Sequence, residues 1–348
     1  MLKYLYSPQP TEQINLTIES SLVWEVILGI SGYTHTRLRH TFEFDEEWTI
    51  AHKSMPEQLV KSLALIEKTN FWFALILLQD KLSSLSIQDF SNQLQNIAAD
   101  CFYEILLPYK NRETEAIRKE TSAQYNNPRQ IEKYAKYFDD HEYLGGYIRN
   151  LAKYSHKDLC DIFTTAMFEW HNWVRKNEKW DKWMQALDFE QKRFRSINMT
   201  DPIEKIEQIT GGVKYQLEPS VWTVKLIPHV SYRPWVLEKR TCHTKLFFYP
   251  LNEEHLLEPG VPSVELVRGY KALGDELRLK LLYQLLKGPS ALQDLSLRFN
   301  LSKTTLHHQL SILKAARFIK VDKGIYSANP TELNYLTEKL TQYLENQK

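Results

Sequence analysis

Residues Ser290–Ala316 read SALQDLSLRFNLSKTTLHHQLSILKAA. The spacing predicts two helices joined by a tight turn. In the first, from about Ala291 to Phe299, Leu292, Leu295 and Phe299 fall at i, i+3 and i+7, on one face. Asn300 follows, a residue that tolerates the left-handed backbone a helix end often adopts. Ser302 is a natural N-cap for the second helix, because its hydroxyl can accept from a free backbone N–H. There Leu306, Leu310 and Leu313 make a buried stripe, and Lys303, Thr304, His307 and His308 fall on other faces. A polar N-terminal half on a short second helix is what reading a DNA major groove requires, since those side chains must reach base edges and phosphates.

The flanks extend the pattern. Leu273–Gly288, LGDELRLKLLYQLLKG, is an amphipathic helix stopped by Gly-Pro. RFIKVDKGIYSANP follows the second helix, with strands expected at Phe318–Val321 and Ile325–Ala328 around an Asp322-Lys323-Gly324 turn. Helix, helix-turn-helix and hairpin make a winged helix-turn-helix. The alternative from the same residues is an ordinary helical hairpin in a core.

The residues resemble the ArsR type of bacterial regulator. KALGDELRLKLL, the Leu295–Leu301 turn, SKTTLHHQLSILKAA and a wing after RFIKV stand in order where that family shows "aLgdptRlrIL" and "S.stvShHLk.Lr.aGlv". Glu276 stands where the family often has Pro, Arg317 where Gly is usual, and the wing is short. The resemblance implies a transcriptional regulator that binds double-stranded DNA as a homodimer, by family default a repressor released by a ligand. A twofold dimer sets two recognition helices about one helical turn apart on a palindromic site. The residues expected on DNA are Ser302, Lys303, Thr304, Thr305, His307 and His308, on a recognition helix spanning Ser302–Ala316. Thr305 and His308 are the candidates for base edges. Ser302, Lys303 and Thr304 suit phosphate at the helix start, and Lys323 in the wing suits an adjacent one. Many relatives sense thiophilic metals through cysteine pairs on the first helix of the motif or a flanking helix. Ala291–Phe299 holds no Cys, nor does the rest of the C-terminal module, so neither a metal site nor a cofactor is expected. A protein–protein adaptor built on the winged helix is the alternative function.

At 348 residues the chain has room for two domains. Of its 44 Lys and Arg and 43 Asp and Glu, residues 261–348 hold 13 and 8, a formal +5 there against −4 in the rest. A mildly basic module on a mildly acidic body fits a DNA reader. All nine Trp precede residue 240. The expected fold class is α+β, mostly helical: a mixed sensor or oligomerisation domain over residues 1–260, then a winged helix-turn-helix domain with a C-terminal helix over residues 261–348. The boundary is placed near residue 260, in NEEHLLEPGVPS. The N-terminal part resembles the domain that precedes some long ArsR-type regulators, mostly of Gram-positive bacteria. Its many aromatics can line a pocket for a small-molecule effector. Three scattered cysteines without a CxxC, no apolar leader and no bilayer-length apolar run point to the cytoplasm, away from the membrane.

Within residues 1–260, LKYLY and QINLTI are expected as strands. SSLVWEVILGISG is expected as a helix capped by Ser20 or Ser21 and ended by Gly29 or Gly32. YTHTRLRHTFEFDEEW, with His35, Arg37, Arg39 and His40, is either a pocket-lining loop or a solvated strand or linker, the latter favoured. Pro56 starts a helix. FWFALILL is apolar all round and buried, and Ser86 opens a helix running to Pro108. Two helices follow Asn127-Pro128, one long helix runs from about His156 to Ser196, and Asp201-Pro202 starts a short one ending at Gly211-Gly212. Val221–Leu251 gives two or three strands. The final helix, capped at Thr331, has Leu333, Leu336, Leu340 and Tyr343/Leu344 in one stripe.

No GxGxxG, P-loop, GxSxG or HExxH occurs, and no enzyme activity is expected. Asp139-Asp140-His141-Glu142 gathers metal-capable side chains, but consecutive residues diverge, which favours a solvated loop. Glu169 and His171 beside Trp170 and Trp173 are better explained by core packing than by a cavity.

Overall fold

The computed structural model describes residues 14–36, 39–44, 48, 50, 52–195, 201–210, 213–251, 262–322 and 324–345, and the side chains of most of them. The chain divides into two compact units, Met1–Leu251 and Asn252–Lys348. The expected strand over residues 2–6, the boundary near 260 and the Gly211-Gly212 helix end lie outside the described residues, as do Arg37 and the side chain of His40.

The N-terminal unit is a bundle of short helices against a four-stranded sheet. Strands β1 (Asn15–Ile18), β2 (Thr223–His229), β3 (Leu237–Arg240) and β4 (Thr244–Pro250) lie in the order β1-β2-β4-β3. The three pairs of neighbours differ in kind: β1–β2 and β2–β4 are parallel, and β3 runs antiparallel along β4 as an edge. Both faces are covered, which is why β4 reads as a continuous apolar run. On one face Val224, Leu226, Phe247 and Tyr249 pack with Phe194, Ile206 and Ile209, from helices at Trp180–Arg195 and Pro202–Ile209. On the other, Trp24 of helix α1 (Leu22–Thr34) meets Phe248 edge-on at 5.3 Å.

Helix α1 is capped by Ser21 and is nearly all buried. It does not end at Gly29 or Gly32. Both glycines are close-packing positions: a Cβ on Gly29 would lie 2.6 Å from Nε1 of Trp170, and one on Gly32 would lie 3.0 Å from Trp48. Buried Glu25, in the same helix, accepts from the backbone N–H groups of Val230 (3.0 Å) and Ser231 (2.7 Å) and from the Ser231 hydroxyl. This ties α1 to the chain leaving β2. The stretch after α1 is not a solvated strand. It holds a short 3-10 turn, Arg39–Thr41, and the buried rings of Phe42 and Trp48.

Pro56 precedes helix α2 (Glu57–Thr69), and the apolar run forms buried helix α3 (Trp72–Leu82). Two expected helices are each broken. The Ser86-capped one stops at Asn96, and Ala99–Leu106 forms another. The long one divides into His156–Val174 and Trp180–Arg195, with Asn177 accepting from the N–H of Lys179 in the gap. Glu115–Ala123 is a helix the sequence pattern does not announce, whereas Pro128–Ala135 and Leu144–Leu151 answer to the two helices after Asn127. We label the helices from Ile87 to Ile209 α4 to α11 in chain order.

The C-terminal unit begins, among described residues, with helix α12 (Val264–Leu273), then α13 (Glu276–Lys287), α14 (Leu292–Phe299), α15 (Lys303–Ala315) and α16 (Pro330–Glu345). The helix expected over Leu273–Gly288 is α13, which starts three residues later: Gly274 closes α12, and Asp275 caps α13 by accepting from the N–H of Arg278. Three short strands, β5 (Ser290–Ala291), β6 (Ile319–Asp322) and β7 (Ile325–Ala328), pair antiparallel in the order β5-β7-β6. The core joins Leu281, Leu282 and Leu285 of α13, Leu295 of α14, Leu306, Leu310 and Leu313 of α15, Phe318, and Leu336 of α16. Thr331 lies inside α16, one residue after Pro330. A Cβ on Gly269 would meet Leu336 at 2.5 Å, so α12 and α16 are in close contact. The molecule is thus α+β and mostly helical, and no described helix is long and apolar enough to cross a membrane.

Candidate nucleic-acid interface

Helix α15 is held by one face and presents the other. Leu306, Leu310 and Leu313 are fully buried, while Ser302, Lys303, Thr304, Thr305, His307 and His308 are all exposed. The sequence reasons for this geometry are local. Asn300 ends α14 in the left-handed conformation (φ 51°), which turns the chain sharply. The Ser296 hydroxyl donates to the carbonyl of Leu301 at 2.6 Å and fixes the three-residue turn. Ser302 then caps α15: its Oγ accepts from the N–H of Thr305 at 3.1 Å and lies 2.8 Å from Thr305 Oγ1.

The first N–H groups of a helix have no intrahelical acceptor. Ser302 takes that of Thr305. The helix start keeps the positive end of its dipole and the Lys303 ammonium nearby, a setting that suits a phosphate oxygen. Lys303 Nζ donates to Gln293 Oε1 at 3.5 Å, a long bond that leaves it free to reorient. His307 and His308 follow on the exposed faces in the next turn.

At its far end α15 stops in a left-handed residue that is not glycine. Arg317 has φ 60°. Its N–H donates to the carbonyl of Lys314 (2.9 Å) and that of Phe318 to Leu313 (3.0 Å), the paired bonds of a Schellman ending, with Leu313 and Phe318 in the same core. The geometry explains why a glycine suits this position. The wing turns between Asp322 and Ile325, with Gly324 at φ 82°. Lys323 lies outside the described residues.

Two residues escape a reading of the sequence. Arg278, on α13, donates to the carbonyls of Ala272 (2.6 Å) and Lys271 (2.9 Å) at the end of α12, and to Gln309 Oε1 (2.9 Å) on α15. Arg278 thereby positions the reading helix, and Gln309 is the reading-helix residue it grips. Its signal was present: Arg278 occupies the arginine of the family's "ptRlrIL" block.

The acidic stretch in the N-terminal unit does not converge. Asp139 pairs with Arg149 at 2.7 Å, Asp140 with Lys110 at 3.6 Å, and His141 Nδ1 faces the N–H groups of Tyr143 and Leu144. Among the described residues no group of three or more His, Cys, Asp or Glu is placed to hold a metal ion. His171 sits against Trp180, and Trp170 is wholly buried, as in a packed core.

A family model described as "Bacterial regulatory protein, arsR family" matches residues 275–321, from the cap of α13 into the first strand of the wing. No curated protein and no solved structure matches the chain. The C-terminal unit therefore carries an ArsR-type helix-turn-helix, and the chain is a DNA-binding transcription regulator.

Proposed function

We propose that the protein is a sequence-specific bacterial repressor, acting in the cytoplasm as a homodimer, with α15 in the major groove and the N-terminal unit sensing a small molecule. One observation carries the DNA assignment: the polar half of α15, from Ser302 to His308, is exposed on a helix whose other face is locked by three fully buried leucines. A rigid mount with hydrogen-bonding groups outward is what base reading needs. In this assignment Thr305 and His308 reach bases, and Ser302, Lys303 and Thr304 hold phosphate. The homodimer is supported by a largely apolar groove beside α12 and α16, lined by Pro262, Leu266, Val267, Tyr270, Lys271 and Leu340, a face that a second copy can cover. The N-terminal unit is assigned no catalytic step.

The test is a fluorescence anisotropy titration of the full chain on the DNA upstream of its own gene, at two salt concentrations, with excess competitor DNA. Competitor-resistant binding that weakens steeply with salt is expected. Lys303→Ala should weaken binding to all sequences and flatten the salt slope by about one unit, as a lost phosphate contact does. An unchanged slope removes Lys303 from the phosphate.

One observation favours a second reading, the protein–protein adaptor. Leu279, Tyr283 and Leu286 form an exposed apolar stripe on α13, at i, i+4 and i+7. Absence of specific DNA binding, together with loss of a protein partner in Tyr283→Ser, would select it.

A further inference from the structure

The sheet of the N-terminal unit carries three partly buried lysines, and two are neutralised. Lys225 on β2 lies 3.1 Å from Asp80 and 3.2 Å from Glu19. Lys245 on β4 lies 3.0 Å from both Glu218 and Glu238. Lys239, on edge strand β3, has no carboxylate within ion-pair distance among the described residues. Strand alternation is the cause. Glu238 and Arg240 point to the face of Lys245 and Glu218, and Lys239 points to the opposite one. There it meets the first turn of α3, where the rings are. Its Nζ lies 5.2 Å from the ring centre of Trp72, 5.5 Å from Phe73 and 5.4 Å from Tyr143. Asp80, at the other end of the same helix, is taken by Lys225.

A count of donors shows what is missing. An ammonium has three N–H groups to give. One goes to Tyr143 Oη at 2.8 Å. The other two meet no protein acceptor among the described residues. Tyr143 Oη, already accepting, keeps its own O–H to donate. The cluster offers three donors and no acceptor, the complement of a carboxylate group with its two oxygens. Around it, the His35 ring stacks on Trp72 and lies 3.1 Å from Tyr232 Oη, and His141 meets Tyr143 edge-on at 4.7 Å. Burial pushes the phenols of Tyr143 and Tyr232 up and His141 down, so it favours the neutral form of each. Burial also pushes the Lys239 amine down to about 8, as expected for a cation that lacks an anion. One positive charge between aromatic walls matches a monoanion, and a phosphate dianion would leave a charge uncompensated.

We propose that the Lys239 cage is the ligand site of the N-terminal unit, taking a small carboxylate with a flat apolar body. The carboxylate oxygens receive the Lys239 and Tyr143 donors, and the body packs against Trp72 and Tyr143. This rests on the sensing role given to that unit and names the chemistry it senses.

The probe is benzoate, titrated calorimetrically into the full-length protein without DNA, with benzamide as the neutral control of the same shape. Benzoate should bind one per chain at millimolar concentration, at least about tenfold tighter than benzamide, as charge-assisted hydrogen bonds provide. Lys239→Met should abolish that preference while keeping the far-UV circular dichroism of the parent, and Tyr143→Phe should reduce it severalfold. If benzoate gives no binding heat, or no preference over benzamide, or binds Lys239→Met as well as the parent, the site is overturned. A Lys239→Met protein that melts lower yet retains the benzoate preference assigns Lys239 a purely structural role and overturns it as well. DNA affinity is then measured with benzoate present. An unchanged affinity with benzoate bound refutes the sensing role and leaves the site standing.

Discussion

Special backbone positions do opposite jobs in two stretches of the molecule, the recognition region around α15 and helix α1. Around α15 left-handed residues are punctuation: Asn300 ends α14, Arg317 ends α15 and Gly324 turns the wing, each with a positive φ, as Asn70 and Ser83 do at the ends of α2 and α3. In α1 of the N-terminal unit, Gly29 and Gly32 stand in mid-helix and make room for Trp170 and Trp48. The lesson is that a glycine's meaning lies in what surrounds it. Punctuation is a local property, whereas clearance is set by whichever ring packs there, and Trp170 is more than a hundred positions from Gly29.

Substitutions can break or sharpen that contrast. The largest effect is expected at Gly29→Ala. Alanine favours helix by about 1 kcal/mol, but its Cβ would sit against the Trp170 indole, closer than any real contact allows. We expect a net loss of about 2 kcal/mol, in the range of overpacked cores, read from urea unfolding. A variant as stable as the parent would remove the clearance role.

Acid should act on the same unit with a similar magnitude. His229 on β2 is fully buried, its Nε2 bonds the carbonyl of Trp235 at 3.1 Å, and burial holds it down at about 3. The unfolded chain, titrating near 6.5, binds the proton that the folded chain refuses. Stability should therefore be full above pH 6.5 and fall as pH drops toward 3, by roughly 2 kcal/mol at pH 5. His229→Gln should flatten that segment of the stability profile. A profile equally steep in the variant would assign the slope to other groups.

Two gains of about 1 kcal/mol or less complete the contrast. Gly146 is an exposed helical glycine, and a Cβ added there would have nothing within 4 Å, so Gly146→Ala should stabilise by up to about 1 kcal/mol. Arg317→Gly relieves a left-handed arginine and should stabilise by a few tenths to about 1 kcal/mol, in thermal melts of the full chain. A loss at Arg317 would show that its side-chain contacts outweigh the backbone strain.

The same contrast explains what was legible. In Ser290–Ala316 each decisive residue acts within a few positions: Ser302 on Thr305, Ser296 on Leu301, the leucines at helical spacing. Their pattern prefigures the helix pair, the exposed polar half and the hairpin to within about a residue or two, the usual scatter of element ends. In the N-terminal unit the decisive partners are remote. Nothing near Lys239 in sequence indicates Trp72 or Tyr143, and nothing near Glu25 indicates Ser231. The breaks at Ile97–Ala98 and at residues 175–179 are equally hidden, because both flanks keep helical periodicity and neither gap carries Gly or Pro. Arg278 is the intermediate case, visible as a familiar letter but with a role that only the fold shows.

That arginine has a mechanical consequence. Among the described residues α12 is the first helix of the C-terminal unit, and only Gly274 and Asp275 separate it from α13. One rigid guanidinium plane clamps the last carbonyls of α12 and, 2.9 Å away, the side chain of Gln309 on the reading helix. Hydrogen bonds weaken steeply as their angle bends, and these share one plane. Arg278 works as a tie rod inside the C-terminal unit, fixing the end of α12 and the side chain of Gln309 to one point on α13.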